Sequence, residues 1–144
     1  MKGTIKSGIL MAVFLLVSGC ATGPKFGDYL PKISDLPADS GRIYVYRTAV
    51  FGAAVTPEIK LNGEVIGKAM AEGFVYADRP PGNYEIMTST EVSRKLSFTL
   101  EKGQTRYVRL NVSFGFFVGH VYPELVEPQF GRDEIKGTRY TGKQ

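Results

Sequence analysis

The sequence predicts an all-β fold, an antiparallel β-sandwich of about seven to eight short strands behind a cleaved leader. Three observations carry this. Short β-branched and aromatic runs recur along the chain. Turn signals separate them roughly every 8–12 residues. Beyond the leader, no stretch sustains the apolar period of a helix.

The leader comes first. Lys2 and Lys6 precede the apolar run 8–16, and Val17-Ser18-Gly19 leads into Cys20. This is a charged n-region, an apolar h-region and a small-residue cleavage site. The run is too short to cross a bilayer core, which takes roughly 20 residues. A cysteine directly after such a site resembles the lipobox of bacterial lipoproteins. The resemblance implies cleavage between Gly19 and Cys20, and a diacylglycerol on the Cys20 thiol. Removing residues 1–19 leaves 125 of 144, a length suited to one domain. It also removes two lysines from a formal charge of +4 and leaves +2. The remaining Lys and Arg are scattered, which argues against nucleic acid as a partner. Cys20 is the sole cysteine, so a disulfide is ruled out and the domain depends on its core.

Residues 20–40 carry Pro24, Pro31 and Pro37 among small breaker residues, which forbids a long helix. They read as a semi-extended tether lifting the domain off a membrane, with Tyr29, Ile33 and Leu36 as apolar touch points. Packing of Leu30–Leu36 on the domain is the alternative. The domain itself is read as 41–136. Ile43-Tyr44-Val45-Tyr46 opens it as a strand. Glu58–Leu61 and Glu64–Ile66 flank Asn62-Gly63, a hairpin signal because both turn positions take positive φ. Phe74–Ala77 ends at Pro80-Pro81-Gly82-Asn83, and Tyr84–Thr90 follows. Leu96, Phe98 and Leu100 alternate with polar residues, as do Val108, Leu110 and Val112 across the turn Glu101-Lys102-Gly103-Gln104. Phe116–Tyr122 and Glu124–Glu127 are expected as a final pair. Residues 137–144 are polar and read as a flexible tail.

Four of these segments, in order, resemble a family of bacterial lipoproteins known only as domain of unknown function 2846. They are Gly41-Arg42-Ile43-Tyr44-Val45-Tyr46-Arg47, Pro57 through Gly67, Phe74-Val75-Tyr76-Ala77 with Pro80-Pro81-Gly82-Asn83-Tyr84, and Glu101 through Arg109. The likeness spans about Gly41 to Ile135. It implies a fold and an envelope location, and no activity, cofactor or catalytic residue.

Chemistry is sparse. The one histidine, His120, supplies a single ligand where zinc wants three or four. Ser113 is near it in sequence, but no nucleophile elbow is present. The pairs Glu124 with Glu127, and Asp133 with Glu134, are the candidates for two-carboxylate hydrolysis, in surroundings that favour solvated acids. No metal site, cofactor or catalytic residue is expected, and the chain reads as a non-enzyme. Two surface features remain. Strand alternation turns Arg42, Tyr44 and Tyr46 away from Ile43 and Val45, and Tyr107 and Arg109 away from Val108 and Leu110. On a shared sheet these five form a candidate binding face for glycan rings, carboxylates or protein. The second feature is a pair of apolar loops, 49–55 and 114–118, with Phe51, Phe116 and Phe117. They are either packed as core or exposed as a patch for a partner or membrane.

The functional expectation is a lipid-anchored periplasmic binding or scaffold module. Its partners are membrane lipid through Cys20 and an envelope protein or peptidoglycan. Ala21 stands where the lipoprotein sorting rule places aspartate for inner-membrane retention, which implies the outer membrane. A glycan-binding module and a hydrolase are the alternatives.

Overall fold

The computed structural model describes residues 20–142, except Glu91 and 115–118. Among the described residues nine strands form two sheets. They are β1 (Gly41–Arg47), β2 (Glu58–Leu61), β3 (Glu64–Lys68), β4 (Gly73–Arg79), β5 (Gly82–Ser89), β6 (Ser93–Leu100), β7 (Thr105–Phe114), β8 (Gly119–Val126) and β9 (Arg139–Tyr140). One sheet has the order β8-β7-β1-β4-β9 and the other β3-β2-β5-β6. The all-β sandwich read from the sequence is the observed fold.

The turn chemistry acts where expected. Asn62 and Gly63 take φ of 47° and 85°, the left-handed pair a two-residue hairpin needs to match strand twist. Gly103 supplies φ of 72° between β6 and β7. Pro80-Pro81 supplies no N–H and ends β4 before β5.

Strand pairing is not wholly antiparallel. β1 runs parallel to β7, with Tyr44 opposite Tyr107, and β4 runs parallel to β9. Both joins link segments distant in sequence, so no local turn signal announces them. The expected last pair is one strand, β8, antiparallel to β7. Pro123 fits within it because β8 is an edge strand with one side free of partners.

Two cores flank the five-stranded sheet. Between the sheets lie Ile43, Val45, Ile59, Leu61, Val75, Ile86, Phe98, Leu100, Val108, Leu110 and Val121. On the outer face lie Phe26, Tyr44, Tyr46, Phe74, Tyr107 and Ile135, with Tyr29, Ile33, Tyr76 and Tyr140 against them. That second core is roofed by a short helix α1 (Phe26–Tyr29), a 3-10 turn (Leu30–Lys32), helix α2 (Pro128–Glu134) and a 3-10 turn (Ile135–Gly137).

The roof corrects two sequence expectations. Residues 20–33 are no free tether: Ala21 and Phe26 are buried, and Tyr29 stacks on Tyr140 at 3.9 Å. Aromatic burial under the sheet outweighs the extended preference of the prolines. Residues 137–142 are no free tail either. Tyr140 N–H donates to Pro24 O, and Phe26 N–H donates to Thr138 O, both at 2.9 Å. The α2 helix is too short to show a period, so periodicity missed it.

Candidate functional site

One end of the sandwich collects the features with a functional reading. β1 ends at Arg47 opposite the start of β4 at Gly73, and β7, parallel to β1 as far as Arg109, runs on past them to Phe114, whose ring meets Phe51 in the loop after β1. The start of β8 pairs with the end of β7, and Thr88 near the end of β5 donates to Val121 O at 2.6 Å. The loops 48–57 and 69–72, with Thr90 and Val92, therefore share this end with the tip of β7. Cys20 lies here too, bridged to Ala71, with Ala21 N–H donating to Ala71 O at 2.9 Å. Cys20 itself is partly exposed and its thiol is free.

Arg47 organises this end. It is fully buried. Its guanidinium donates to Ala49 O (3.1 Å), Val55 O (2.7 Å), Ala69 O (2.8 Å) and Phe51 O (2.8 Å). All four acceptors are main-chain carbonyls. Burial pushes the Arg47 pKa down, but arginine stays charged in proteins. The cation thus folds the loop 48–57 around itself and ties it to the 69–72 loop that holds Cys20. Sequence reasoning overlooked Arg47. The readable signal was an arginine closing an unbroken apolar strand, followed by ten residues without an acid.

Held this way, the 49–55 loop presents its apolar side chains outward. Val50 is 53% and Phe51 51% exposed, and the Phe51 ring meets Phe114, itself 64% exposed, edge-on at 3.9 Å. Phe116 and Phe117 lie outside the described residues.

The five residues read as an outward binding face share one face, and that face is covered. Tyr44 and Tyr107 stack at 5.4 Å, and Tyr46 has no exposed surface. Their strand alternation was legible, but nothing announced the layer above them. The arginines are committed within the fold. Arg42 makes a two-pronged bond to Asp78 (2.6 and 2.7 Å), reaches Ser34 O at 2.8 Å and lies over the Tyr76 ring at 5.2 Å. Its pKa is raised by the Asp78 bond. Arg109 bonds Glu134 at 2.6 Å and Glu124 at 2.9 Å, and Tyr46 Oη donates to Glu134 at 2.7 Å. These bonds fasten α2 and the 34 segment to the sheet.

The carboxylates lack the setting of an acid–base pair. Glu124 is held below the usual carboxylate range by hydrogen bonds from Arg109 and Asn111. Asp133 is lowered by Lys136, with both side chains in solvent. A general acid at neutral pH needs the opposite shift. His120 Nδ1 lies 3.3 Å from Thr90 Oγ1. Among the described residues no three His, Cys, Asp or Glu side chains gather to hold a metal, and no helix is long and apolar enough to cross a membrane.

A groove of about 620 Å³ opens between β3 and β4, lined by Val65, Ile66, Tyr76, Asp78, Arg79 and Tyr140 among others. β9 covers only Gly73 and Phe74 of β4, so beyond them the β4 edge faces this groove.

No curated protein matches the chain. A family model described as protein of unknown function (DUF2846) matches residues 37–121, from the approach to β1 to the start of β8. That match covers more than half of the sequence and takes in the hairpin, the Pro-Pro-Gly turn and the β1–β7 pair just described. By this match the chain belongs to the DUF2846 family.

Proposed function

We propose that the protein is a lipoprotein acylated at Cys20, held at the periplasmic side of the outer membrane, whose sandwich is a non-catalytic binding or scaffold module of the cell envelope. The observation that carries this is the run of charged, apolar and small residues that ends at Cys20. The fold agrees with it, since Cys20 is partly exposed at one end of the domain and joined by its backbone to Ala71. Ala21 supports outer-membrane sorting. A binding role is supported by the groove beside the β4 edge, which pairs with no strand beyond Phe74 among the described residues and suits an added strand or an extended peptide. The glycan reading loses its proposed face to the helical roof, and a hydrolase gains no support from the lowered Glu124.

Mass spectrometry of the N-terminal peptide tests the anchor. A diacylglyceryl-modified Cys20 as first residue is expected, with Cys20→Ser left uncut. An uncut wild-type chain, or a free thiol on Cys20, overturns the proposal. In-cell crosslinking from Val65 or Tyr76 tests the binding module, with capture of a discrete envelope component as the expected result.

A further inference from the structure

The lipid anchor leaves open how the domain sits relative to the bilayer, and the geometry at Cys20 answers this. We infer that the loop tips around Phe51, Val92 and Phe114 form a second membrane contact, inserting apolar side chains into the bilayer interface beside the anchor. The inference rests on the lipoprotein reading of Cys20 for its choice of bilayer over protein as the occupant.

Slack between anchor and domain decides the matter. A flexible linker of twenty residues lets a domain wander roughly 25 Å from its attachment point. Here there is none: Ala21 is buried and hydrogen-bonded to Ala71, and Cys20 is bridged to the same residue. Acyl chains on Cys20 would leave from the domain surface itself. Whatever shares that end of the sandwich is brought to the headgroup layer.

What shares it is apolar and exposed. Val50, Phe51, Val92 and Phe114 are each about half exposed or more, from 48% to 64%. All four lie on loops or strand tips that the register places at the Cys20 end: after β1, between β5 and β6, and at the end of β7. Such side chains clustered at one end of a small domain are costly in water and mark a contact surface. A line of contacts joins Phe51 and Phe114 to the anchor. Cys20 pairs with Ala71, Ala69 O accepts from Arg47, Arg47 holds Phe51 O, and the Phe51 ring meets Phe114. The buried arginine therefore sets the loop at a fixed height relative to the anchor. Aromatic rings that penetrate the acyl boundary from such a platform follow the physics of interfacial anchors. The two chains of a diacylglycerol hold the domain to the bilayer, and the loop contact fixes which way the domain faces.

The chain contains no tryptophan, so one introduced indole is a clean reporter. The full-length protein is expressed as Phe51→Trp, Phe114→Trp and Phe130→Trp, extracted, and reconstituted in phosphatidylethanolamine/phosphatidylglycerol vesicles with brominated acyl chains. Phe130 is equally exposed, at 58%, but sits on α2, where the neighbouring Gly131 packs on Tyr107. Tyr107 is about 23 Å back along β7 from Phe114. The expected result is a blue-shifted emission and at least threefold stronger quenching at positions 51 and 114 than at 130. Val92→Trp serves if either variant folds poorly. Adding Phe51→Ser and Phe114→Ser to the acylated protein should weaken vesicle partition about tenfold per ring. Equal quenching at all positions overturns the inference, including a case where the loops instead meet a protein. The N-terminal mass of the same preparation separates the two claims. Acylated Cys20 with unquenched loops leaves the anchor and removes the loop contact. Unmodified Cys20 with quenched loops does the reverse.

Discussion

Replacing Arg47 by methionine is expected to cost the domain about 3–5 kcal/mol. Methionine fills much of the same space but donates nothing, so the carbonyls of Ala49, Phe51, Val55 and Ala69 lose their common partner. The bond to Ala69 is wholly buried, and its stranded oxygen costs about 2 kcal/mol. The other three are partly buried and can regain water, at about 0.5–1 kcal/mol each. Removing an uncompensated buried cation returns some desolvation energy, which holds the total to this range. For a domain of this size the loss lowers Tm by about 10–20 °C. Thermal unfolding by circular dichroism measures it, and limited proteolysis should show new cuts within 48–57. Arg47→Lys keeps the charge without the planar fork and should recover little of the loss. A Tm within about 3 °C of wild type would refute the reasoning, because it would mean the loop holds its shape without the guanidinium.

Three further outcomes are expected. Gly131→Ala places a Cβ against the Tyr107 ring, so α2 must lift, with a loss of about 2–3 kcal/mol read in urea unfolding. Tyr46→Phe removes only the hydroxyl bonded to Glu134 and should cost about 1 kcal/mol in the same assay. Glu124 has a folded-state pKa below its ordinary value of 4.5, so its pairing with Arg109 stabilises the fold above pH 4.5 and is lost as pH falls through the lower folded value. Unfolding midpoints measured from pH 6 to pH 3 should therefore fall less steeply below pH 4.5 in Glu124→Gln than in wild type.

The sandwich was legible because its evidence is local. Alternating apolar residues in β6 and β7, the Asn62-Gly63 turn and the Pro-Pro-Gly break each act over a few residues. What stayed hidden depends on distant chain. Ile43-Tyr44-Val45-Tyr46 already carried the sign of a strand buried on both faces, as an unbroken apolar run rather than an alternating one. Reading its tyrosines as outward-facing was right for direction and wrong for exposure, because the roof comes from residues 26–33 and 128–140. Those residues show no period, since one and two helical turns are too few to display one. The apolar loops could not be assigned by composition alone. Whether Phe51 is core or surface turns on Arg47, whose four acceptors are scattered from residue 49 to residue 69.

Residues 23–26 are stitched to residues 138–140, while Ala21 is held separately by Ala71, so the two extremities of the domain close on each other. Synthesis runs from the N-terminus, so residues 23–29 precede their clasp by more than a hundred residues. Their seat is complete only once Tyr140 is present, and residues 138–140 act as the latch that closes that segment onto the sheet. Trimming from Arg139 onward would leave both sheets largely intact and take from residues 23–29 their contacts with Arg139 and Tyr140, leaving Ala21 on Ala71. A protease nick at the far end of the sequence would thus loosen the roof at the near end, without touching the bond between Ala21 and Ala71.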